Sequence, residues 1–133
     1  MSLPDDQQLD VAVETGTGTR RLDLTRRLVA EGLGTGFLII AVIGSGIMAS
    51  RLSPDDIGLQ LLENAAATAG ALIALILMFG GVSGAHFNPV VTLVDRLFGT
   101  ISSRDAVAYT AAQVVGGCLG AIVANLMFDL PAV

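Results

Sequence analysis

Residues 83–92 read SGAHFNPVVT and interrupt a chain that is otherwise dominated by long apolar runs. They follow an uncharged run of 19 residues, Asn64 to Val82, which is long enough for a membrane-crossing helix. Asn88 followed by Pro89 is typical of a new helix start, because asparagine is a strong N-cap and proline is favoured at the first helical position. The stretch therefore predicts that a membrane span ends here and that a second helix begins at once.

Two further apolar runs flank this one. Leu28 to Ser50 contains a single charge, Glu31, and Ala106 to Phe128 contains none. A hydrocarbon core of roughly 30 Å needs about 20 helical residues, and backbone exposed to lipid must satisfy its own hydrogen bonds. The predicted fold class is thus an all-α membrane protein with three transmembrane helices, at about 28–50, 60–82 and 105–128.

The segment 83–98 is predicted to be a re-entrant loop and half-helix and not a fourth span. A helix from Pro89 to Phe98, ended by Gly99, would be about 15 Å long, half of the hydrocarbon thickness. Non-helical backbone at that depth is tolerated only where protein or a water-filled cavity covers it. The loop is therefore expected to line or support a cavity inside the membrane.

The flanking segments are predicted from their charge. Residues 1–27 are predicted to form an acidic, disordered tail with an arginine-rich juxtamembrane segment. Residues 28–128 are predicted to form the membrane repeat, and 129–133 a C-terminal tail. Arg20 to Arg27 is either a plain topogenic flank, which is favoured, or a short helix on the membrane surface. Between the first two spans, Ser53 and Pro54 are expected to begin the second helix.

Arginine counting predicts the orientation. With the N-terminus in the cytoplasm, six of the seven arginines lie on the cytoplasmic side and Arg51 alone lies outside. The expectation is a multi-pass protein of the plasma (inner) membrane with a cytoplasmic N-terminus.

Composition excludes several functions. The chain has one histidine and one cysteine, so no metal site and no cofactor is expected. It has no basic stripe with interleaved aromatic residues, so nucleic acid is not an expected partner. Because no nucleophile–base pair or metal cluster is evident, it is not expected to be an enzyme. The lipid bilayer is its predicted surrounding.

The stretch 83–92 resembles the first re-entrant loop of the aquaporin and aquaglyceroporin family, whose signature is SGAHxNPAVT. Phe87 fills the variable position, and Val90 stands where alanine is usual. Residues 30–36, AEGLGTG, resemble the family's first helix, and residues 109–117, YTAAQVVGG, resemble its third. The resemblance covers about residues 28–128 and corresponds to the N-terminal half of the family's fold, whose second half repeats the first in inverted orientation.

The resemblance implies half of a passive channel for water or small neutral solutes such as glycerol. Since an odd number of spans inverts the next repeat, the pore would be completed by an inverted second half, from another copy in a homo-oligomer or from a homologous partner. The alternatives are a non-conducting membrane assembly subunit and a fragment of a full-length aquaporin. The arginine distribution argues against copies that insert in opposite orientations.

The resemblance also implies pore-lining residues. The Asn88 side-chain amide would donate to a solute oxygen, Pro89 and Val90 would begin the half-helix, and the backbone carbonyls of residues 84–87 would form a ladder of acceptors, supplied by Gly84, Ala85, His86 and Phe87. Thr68 would stand at the outer constriction, where its small side chain implies a wide filter. Its alternative role is a hydrogen bond to its own helix.

Other residues are expected to support the loop. A carboxylate within a span usually faces protein and has a partner, so Glu31 is predicted to accept hydrogen bonds from the loop backbone or from His86, unless it snorkels to the interface. His86 either lines the pore or holds the loop, and the second is favoured. Gln113 is expected to bond within the bundle. Two GxxxG pairs predict close helix packing, at Gly32, Gly36, Gly116 and Gly120.

Overall fold

The computed structural model describes residues 23–132, in which every regular element is a helix. The long helices are α1 (Leu24–Leu52), α2 (Ile57–Ser83) and α4 (Ser103–Met127), and the short α3 (Pro89–Leu97) precedes α4. Each long helix is long and apolar enough to cross a membrane. The predicted fold class, three spans and one half-helix without strands in the described residues, is confirmed.

The first helix begins earlier than the apolar run. It starts at Leu24 and so includes Arg26 and Arg27 in its first turn, while the predicted acidic tail up to residue 22 lies outside the described residues. At about 1.5 Å per residue, α1 is roughly 43 Å long, which exceeds the hydrocarbon core, so the core does not need to contain its charged first turn.

The predicted start of the second helix at Ser53 and Pro54 is wrong. The α2 helix begins at Ile57, and its N-cap is Asp56, whose carboxylate accepts the Leu59 N–H at 2.9 Å. Ser53 belongs instead to the end of α1, since its backbone N–H donates to the Ala49 carbonyl at 2.9 Å. Asp56 is able to cap α2 because its backbone is extended, with φ of −130° and ψ of 91°.

Glycine and asparagine form the junction between α2 and α3. Gly84 ends α2 with φ of +92°, a conformation that favours glycine, and its N–H donates to Gly80. Asn88 caps α3, because its side-chain oxygen accepts the Val90 N–H at 2.8 Å. The half-helix ends at Leu97, one residue before the predicted Phe98, and Gly99 with φ of +80° turns the chain toward α4.

The first helix lies in the middle of the bundle. It packs against α4 on one side and α2 on the other, and α3 packs against α4. Within residues 23–132, no Cα atom of α2 lies within 8 Å of a Cα atom of α4. Asn64 of α2 joins it to α1 by donating to the Val42 carbonyl at 2.8 Å and to the Ser45 hydroxyl at 3.0 Å.

The two predicted glycine pairs face each other across the contact between α1 and α4. A Cβ atom at Gly116 would overlap the Gly32 carbonyl, and one at Gly120 would overlap the Gly36 carbonyl. A Cβ at Gly36 would lie 3.1 Å from the Gly116 carbonyl oxygen, a tight but smaller intrusion. The glycines of α4 therefore set how closely these two helices approach.

The polarity of the bundle is that of a protein in lipid. Its large fully buried side chains are all polar, whereas leucine, isoleucine, valine and phenylalanine side chains are widely exposed. A soluble domain would bury such apolar groups, because an exposed apolar surface of this extent drives association in water. These large, fully buried side chains are Glu31, Thr92, Tyr109 and Gln113.

Replacing Gly116 with alanine should destabilise the bundle by about 1–3 kcal/mol, because the new methyl group must displace the backbone of α1. The matched control is Gly70→Ala on α2, where nothing lies within 4 Å of the added Cβ and helix propensity improves by up to about 1 kcal/mol. The measurement is the unfolding midpoint in detergent, followed by helical circular dichroism. Equal losses in both variants would contradict the close contact.

Candidate functional site

The candidate site is the loop that joins α2 to α3. Its backbone is left-handed at three positions, with φ of +92° at Gly84, +53° at Ala85 and +49° at Phe87. Residues with a Cβ rarely adopt this conformation, which costs of order 1–3 kcal/mol each. The surrounding side chains must therefore hold the loop in place.

The carboxylate of Glu31 is the main anchor of this loop. It is fully buried, and its Oε1 accepts the His86 backbone N–H at 3.0 Å and the Ser83 hydroxyl at 2.6 Å. Its Oε2 accepts the Phe87 backbone N–H at 2.7 Å. Glu31 thus occupies the position expected from the sequence, inside the bundle and against the re-entrant backbone.

A second group of bonds connects the anchor to α4 and α3. The Gln113 side-chain amide donates to Glu31 Oε2 at 2.8 Å and to the Thr92 hydroxyl at 3.0 Å. Thr92 Oγ1 also lies 3.2 Å from the Asn88 carbonyl oxygen. Since Thr92 is fully buried on α3, the hydrogen bond from Gln113 fixes the first turn of the half-helix relative to α4.

The contacts of His86 are those of a residue that holds the loop. Its Nδ1 lies 3.1 Å from Thr92 Oγ1, and its Nε2 lies 3.3 Å from a carboxylate oxygen of Asp95. Its ring packs edge-on against Tyr109, with centroids 5.3 Å apart. The imidazole therefore bridges the loop, the half-helix and α4.

One turn nearer the start of α1, a second polar cluster connects three helices. The Tyr109 hydroxyl donates to the Ser83 carbonyl at 2.8 Å and accepts from Arg27 Nε at 2.7 Å. Arg27 also pairs with Asp105 at 3.3 Å. This cluster attaches the end of α2 to the starting turns of α1 and α4.

An aromatic side chain fixes the last residue of the loop. The Phe87 ring is 3% exposed and occupies the space where a Cβ of Gly34 would lie. It also contacts Phe79 edge-on, with centroids 6.1 Å apart. Gly34 thus permits the loop to approach α1 closely enough for the bonds to Glu31.

The polar groups of the loop divide into two sets. The N–H groups of Ala85, His86 and Phe87 donate to side chains behind the loop. The carbonyl oxygens of residues 84–87 accept no hydrogen bond from any residue within 23–132. These four acceptors are therefore not used by protein donors in the described part of the chain.

Asn88 follows these acceptors along the chain and has a side-chain donor. Its side-chain oxygen is engaged by the Val90 N–H, which leaves the amide nitrogen free to donate, and the residue is exposed. Pro89 is the first residue of α3 and Val90 follows it at 65% exposure. Together, the loop and Asn88 present acceptors followed by a donor beside the half-helix.

Thr68 does not join this cluster. It lies on α2, 15 residues before Ser83, which is about 22 Å along the helix. Its hydroxyl is buried and has no hydrogen-bond partner in the described residues, so the alternative of a bond to its own helix is wrong.

Several supporting residues were not assigned roles from the sequence. Ser83, Thr92 and Tyr109 are uncharged, and their contacts depend on how each helix is rotated. Gly34 could have been noticed as a third small residue in GLGTG, but its partner Phe87 is more than 50 residues away. Within residues 23–132, no cluster of histidine, cysteine and carboxylates is able to hold a metal ion.

Comparison of the sequence with known proteins finds a matching family model and several similar proteins. Residues 18–131 match the family model described as "Major intrinsic protein". Aquaglyceroporin AqpS of Rhizobium meliloti is 54% identical over 112 residues, which are 84% of this chain and 48% of that protein. Aquaporin Z of Brucella melitensis is 32% identical over 100 residues, covering 75% and 43%. Aquaporin NIP1-2 of Arabidopsis thaliana is 35% identical over 105 residues, covering 79% and 35%. The chain spans about half the length of these relatives or less.

Replacing Glu31 with glutamine should release the loop. The amide retains one acceptor oxygen but turns an NH₂ group toward two donors, and lost bonds to a charged acceptor contribute about 1.5–3 kcal/mol each. We expect a stability loss of about 3 kcal/mol or more and faster hydrogen exchange at the amides of His86 and Phe87 in nanodiscs.

The control for this variant is Glu63→Gln on α2. Glu63 accepts one hydrogen bond, from the Ser53 hydroxyl at 3.1 Å, so the same chemical change should cost less than about 1.5 kcal/mol. Unaltered exchange at His86 and Phe87 in the Glu31 variant would show that the carboxylate does not hold the loop.

Proposed function

Because the chain belongs to the major intrinsic protein family, we propose that it forms one wall of a passive membrane channel for water or small neutral solutes such as glycerol. The observation that carries this proposal is the division of the loop's polar groups. Its N–H groups are bound to Glu31 and Ser83, and its carbonyl oxygens are unused by protein donors in the described residues.

The row of carbonyls suits neutral solutes that donate hydrogen bonds. Water and polyols lose hydration when they enter a narrow apolar pore, and backbone carbonyls replace the lost partners. Gly84, Ala85, His86 and Phe87 supply four such oxygens in sequence. The buried anchor behind them keeps the row in place, so that the acceptors do not need to reorganise as each solute passes.

Asn88 adds a donor where the half-helix begins. Its free amide nitrogen suits a solute oxygen, and the adjacent helix N-terminus carries roughly half a positive charge. A positive potential at this point disfavours cations. In the proposed channel, Asn88 and the start of α3 therefore favour neutral solutes over ions.

The proposed pore needs a second wall. The half-helix leaves a largely apolar surface uncovered, formed by Val90, Leu93, Leu97 and Phe98. An inverted repeat would cover this surface and bring a second half-helix toward Asn88. It would come from another copy of this chain, a homologous half or a continuation of the same chain. We place the channel in the plasma (inner) membrane with the N-terminus in the cytoplasm, on the basis of the arginine distribution.

Substituting Asn88 with aspartate tests the proposed donor without removing the helix cap, because both residues cap well. The protein should be reconstituted from detergent into vesicles, where chains insert in both orientations and inverted pairs are able to form. We expect water permeability above that of empty vesicles and its loss in the variant, measured by stopped-flow light scattering.

The matched control is Asn125→Asp near the end of α4, outside the loop, which should conduct like the unmodified chain. Permeability that Asn88→Asp leaves unchanged would contradict the proposed role of this residue. Permeability no higher than that of empty vesicles, with inverted pairs detected by cross-linking, would favour a non-conducting assembly subunit.

Replacing Thr68 with phenylalanine tests the proposed width of the outer constriction. In vesicles that conduct, the larger side chain should reduce glycerol permeability more than water permeability, because the bulkier solute needs the wider opening. Ala67→Phe, at the neighbouring exposed position on α2, is the control and should leave the glycerol-to-water ratio unchanged. An unchanged ratio in Thr68→Phe would exclude this residue from the filter.

A further inference from the structure

A long apolar groove of about 760 Å³ runs between α1 and α4. By helical register it lies on the side of α1 turned away from Glu31 and the re-entrant loop. Of the described residues that line it, only Thr25 has a polar side chain. The glycines of the close helix contact form its floor, and larger side chains form its walls, namely Val29, Leu33, Phe37, Val115, Leu119 and Val123.

Two arginines stand at one end of this groove. Arg26 precedes the wall residues Val29 and Leu33 by three and seven positions on α1, and Arg104 precedes the lining residue Ala108 by four positions on α4. These spacings place each arginine about one helical turn from a lining residue, at the end of the groove where Thr25 lies.

Both arginines are exposed and uncommitted. Within residues 23–132 neither Arg26 nor Arg104 forms an ion pair or a side-chain hydrogen bond. Arg27, by contrast, is bound to Tyr109 and Asp105, and Arg96 donates to the Ser103 hydroxyl. This end of the groove therefore carries two positive charges next to an apolar surface.

We propose that this groove binds an anionic phospholipid, with an acyl chain along the floor and the phosphate at Arg26 and Arg104. Basic pockets between helices at a membrane surface recognise anionic headgroups. From Thr25 to Ile40 the groove extends about 22 Å, whereas one leaflet of the hydrocarbon core is about 15 Å thick. The groove is thus long enough for a whole acyl chain that begins at the headgroup.

Charge distinguishes this occupant from a second copy of the chain. Another copy in the same orientation would bring its own Arg26 and Arg104 to the same depth, and like charges brought together at an interface are unfavourable. The lipid phosphate offers the opposite charge at that depth. The proposal does not depend on the channel function, because the groove lies away from the candidate pore.

Native mass spectrometry tests the headgroup contact. The full chain, stripped of lipid in detergent, is titrated with dioleoyl phosphatidylglycerol and with dioleoyl phosphatidylcholine. The phosphatidylglycerol should bind more tightly, and combined Arg26→Gln and Arg104→Gln substitutions should weaken it by about fivefold for each arginine. Binding of phosphatidylcholine should change little.

Arg96→Gln is the matched control for charge. Arg96 lies near the same end of the bundle but lines a separate groove between α3 and α4, so its removal should leave the affinity largely unchanged. An equal loss in this variant would show general electrostatic attraction, and no loss in the double variant would exclude the two arginines. Either result would overturn the proposal.

Ala108→Phe tests the acyl-chain contact, since the ring would fill the groove just below the proposed phosphate position. It should weaken phosphatidylglycerol binding, while Ala74→Phe on the exposed surface of α2 should not. Circular dichroism establishes that each variant is folded. Unchanged binding in folded Ala108→Phe, or a dimer that the double arginine variant strengthens at the expense of lipid, would overturn the proposed occupant.

Discussion

The structure depends on one buried carboxylate that has no cationic partner in the described residues. Glu31 is fully buried and is satisfied by four donors, two of which are consecutive backbone N–H groups of the re-entrant loop. An unpaired charge in a low-dielectric interior is costly unless hydrogen bonds surround it. The carboxylate needs the loop in this conformation, and the left-handed residues of the loop need the carboxylate. Neither arrangement is stable without the other.

The same carboxylate depends on the distance between two helices. Arg27, Glu31 and Thr35 recur every four residues on α1, and the face of α4 that meets them carries Tyr109, Gln113 and Gly117 at the same spacing. The Gln113 amide reaches Glu31 at 2.8 Å because the backbones of α1 and α4 approach closely nearby, at Gly32 and Gly116. Glycine packing thus has an indirect effect on the loop, since a wider separation would break the bond that links Glu31 to α4.

The sequence was most informative where a structure depends on neighbouring residues alone, or where a buried charged residue has few possible partners. The uncharged runs predicted the spans, because the bilayer fixes the length of a helix. Asn88 and Pro89 predicted the start of the half-helix by capping rules alone, and a lone carboxylate in a span has few ways to be satisfied. The predicted start of α2 was wrong because Ser53 and Asp56 both fit the capping rules. The hydrogen bond from the Ser53 N–H to the Ala49 carbonyl, which assigns Ser53 to the end of α1, distinguishes them. The roles of Thr92, Tyr109 and Gly34 depend on helix rotation and on partners far away in sequence, neither of which the local pattern contains.

The orientation of the loop has a consequence for the proposed channel. Glu31 and Ser83 accept hydrogen bonds from the loop N–H groups, so the carbonyl oxygens of residues 84–87 are the groups left to bind a solute. The first donor after them is the side-chain amide of Asn88 at the start of α3. A solute that both donates and accepts hydrogen bonds would meet acceptors first and a donor next. A cation would be attracted by the carbonyls and then opposed by the positive end of the half-helix. An inverted second wall would repeat this order from the other side, so that two positive helix ends would face the same central point. The selectivity of the proposed pore against ions would then follow from the geometry that satisfies one buried carboxylate.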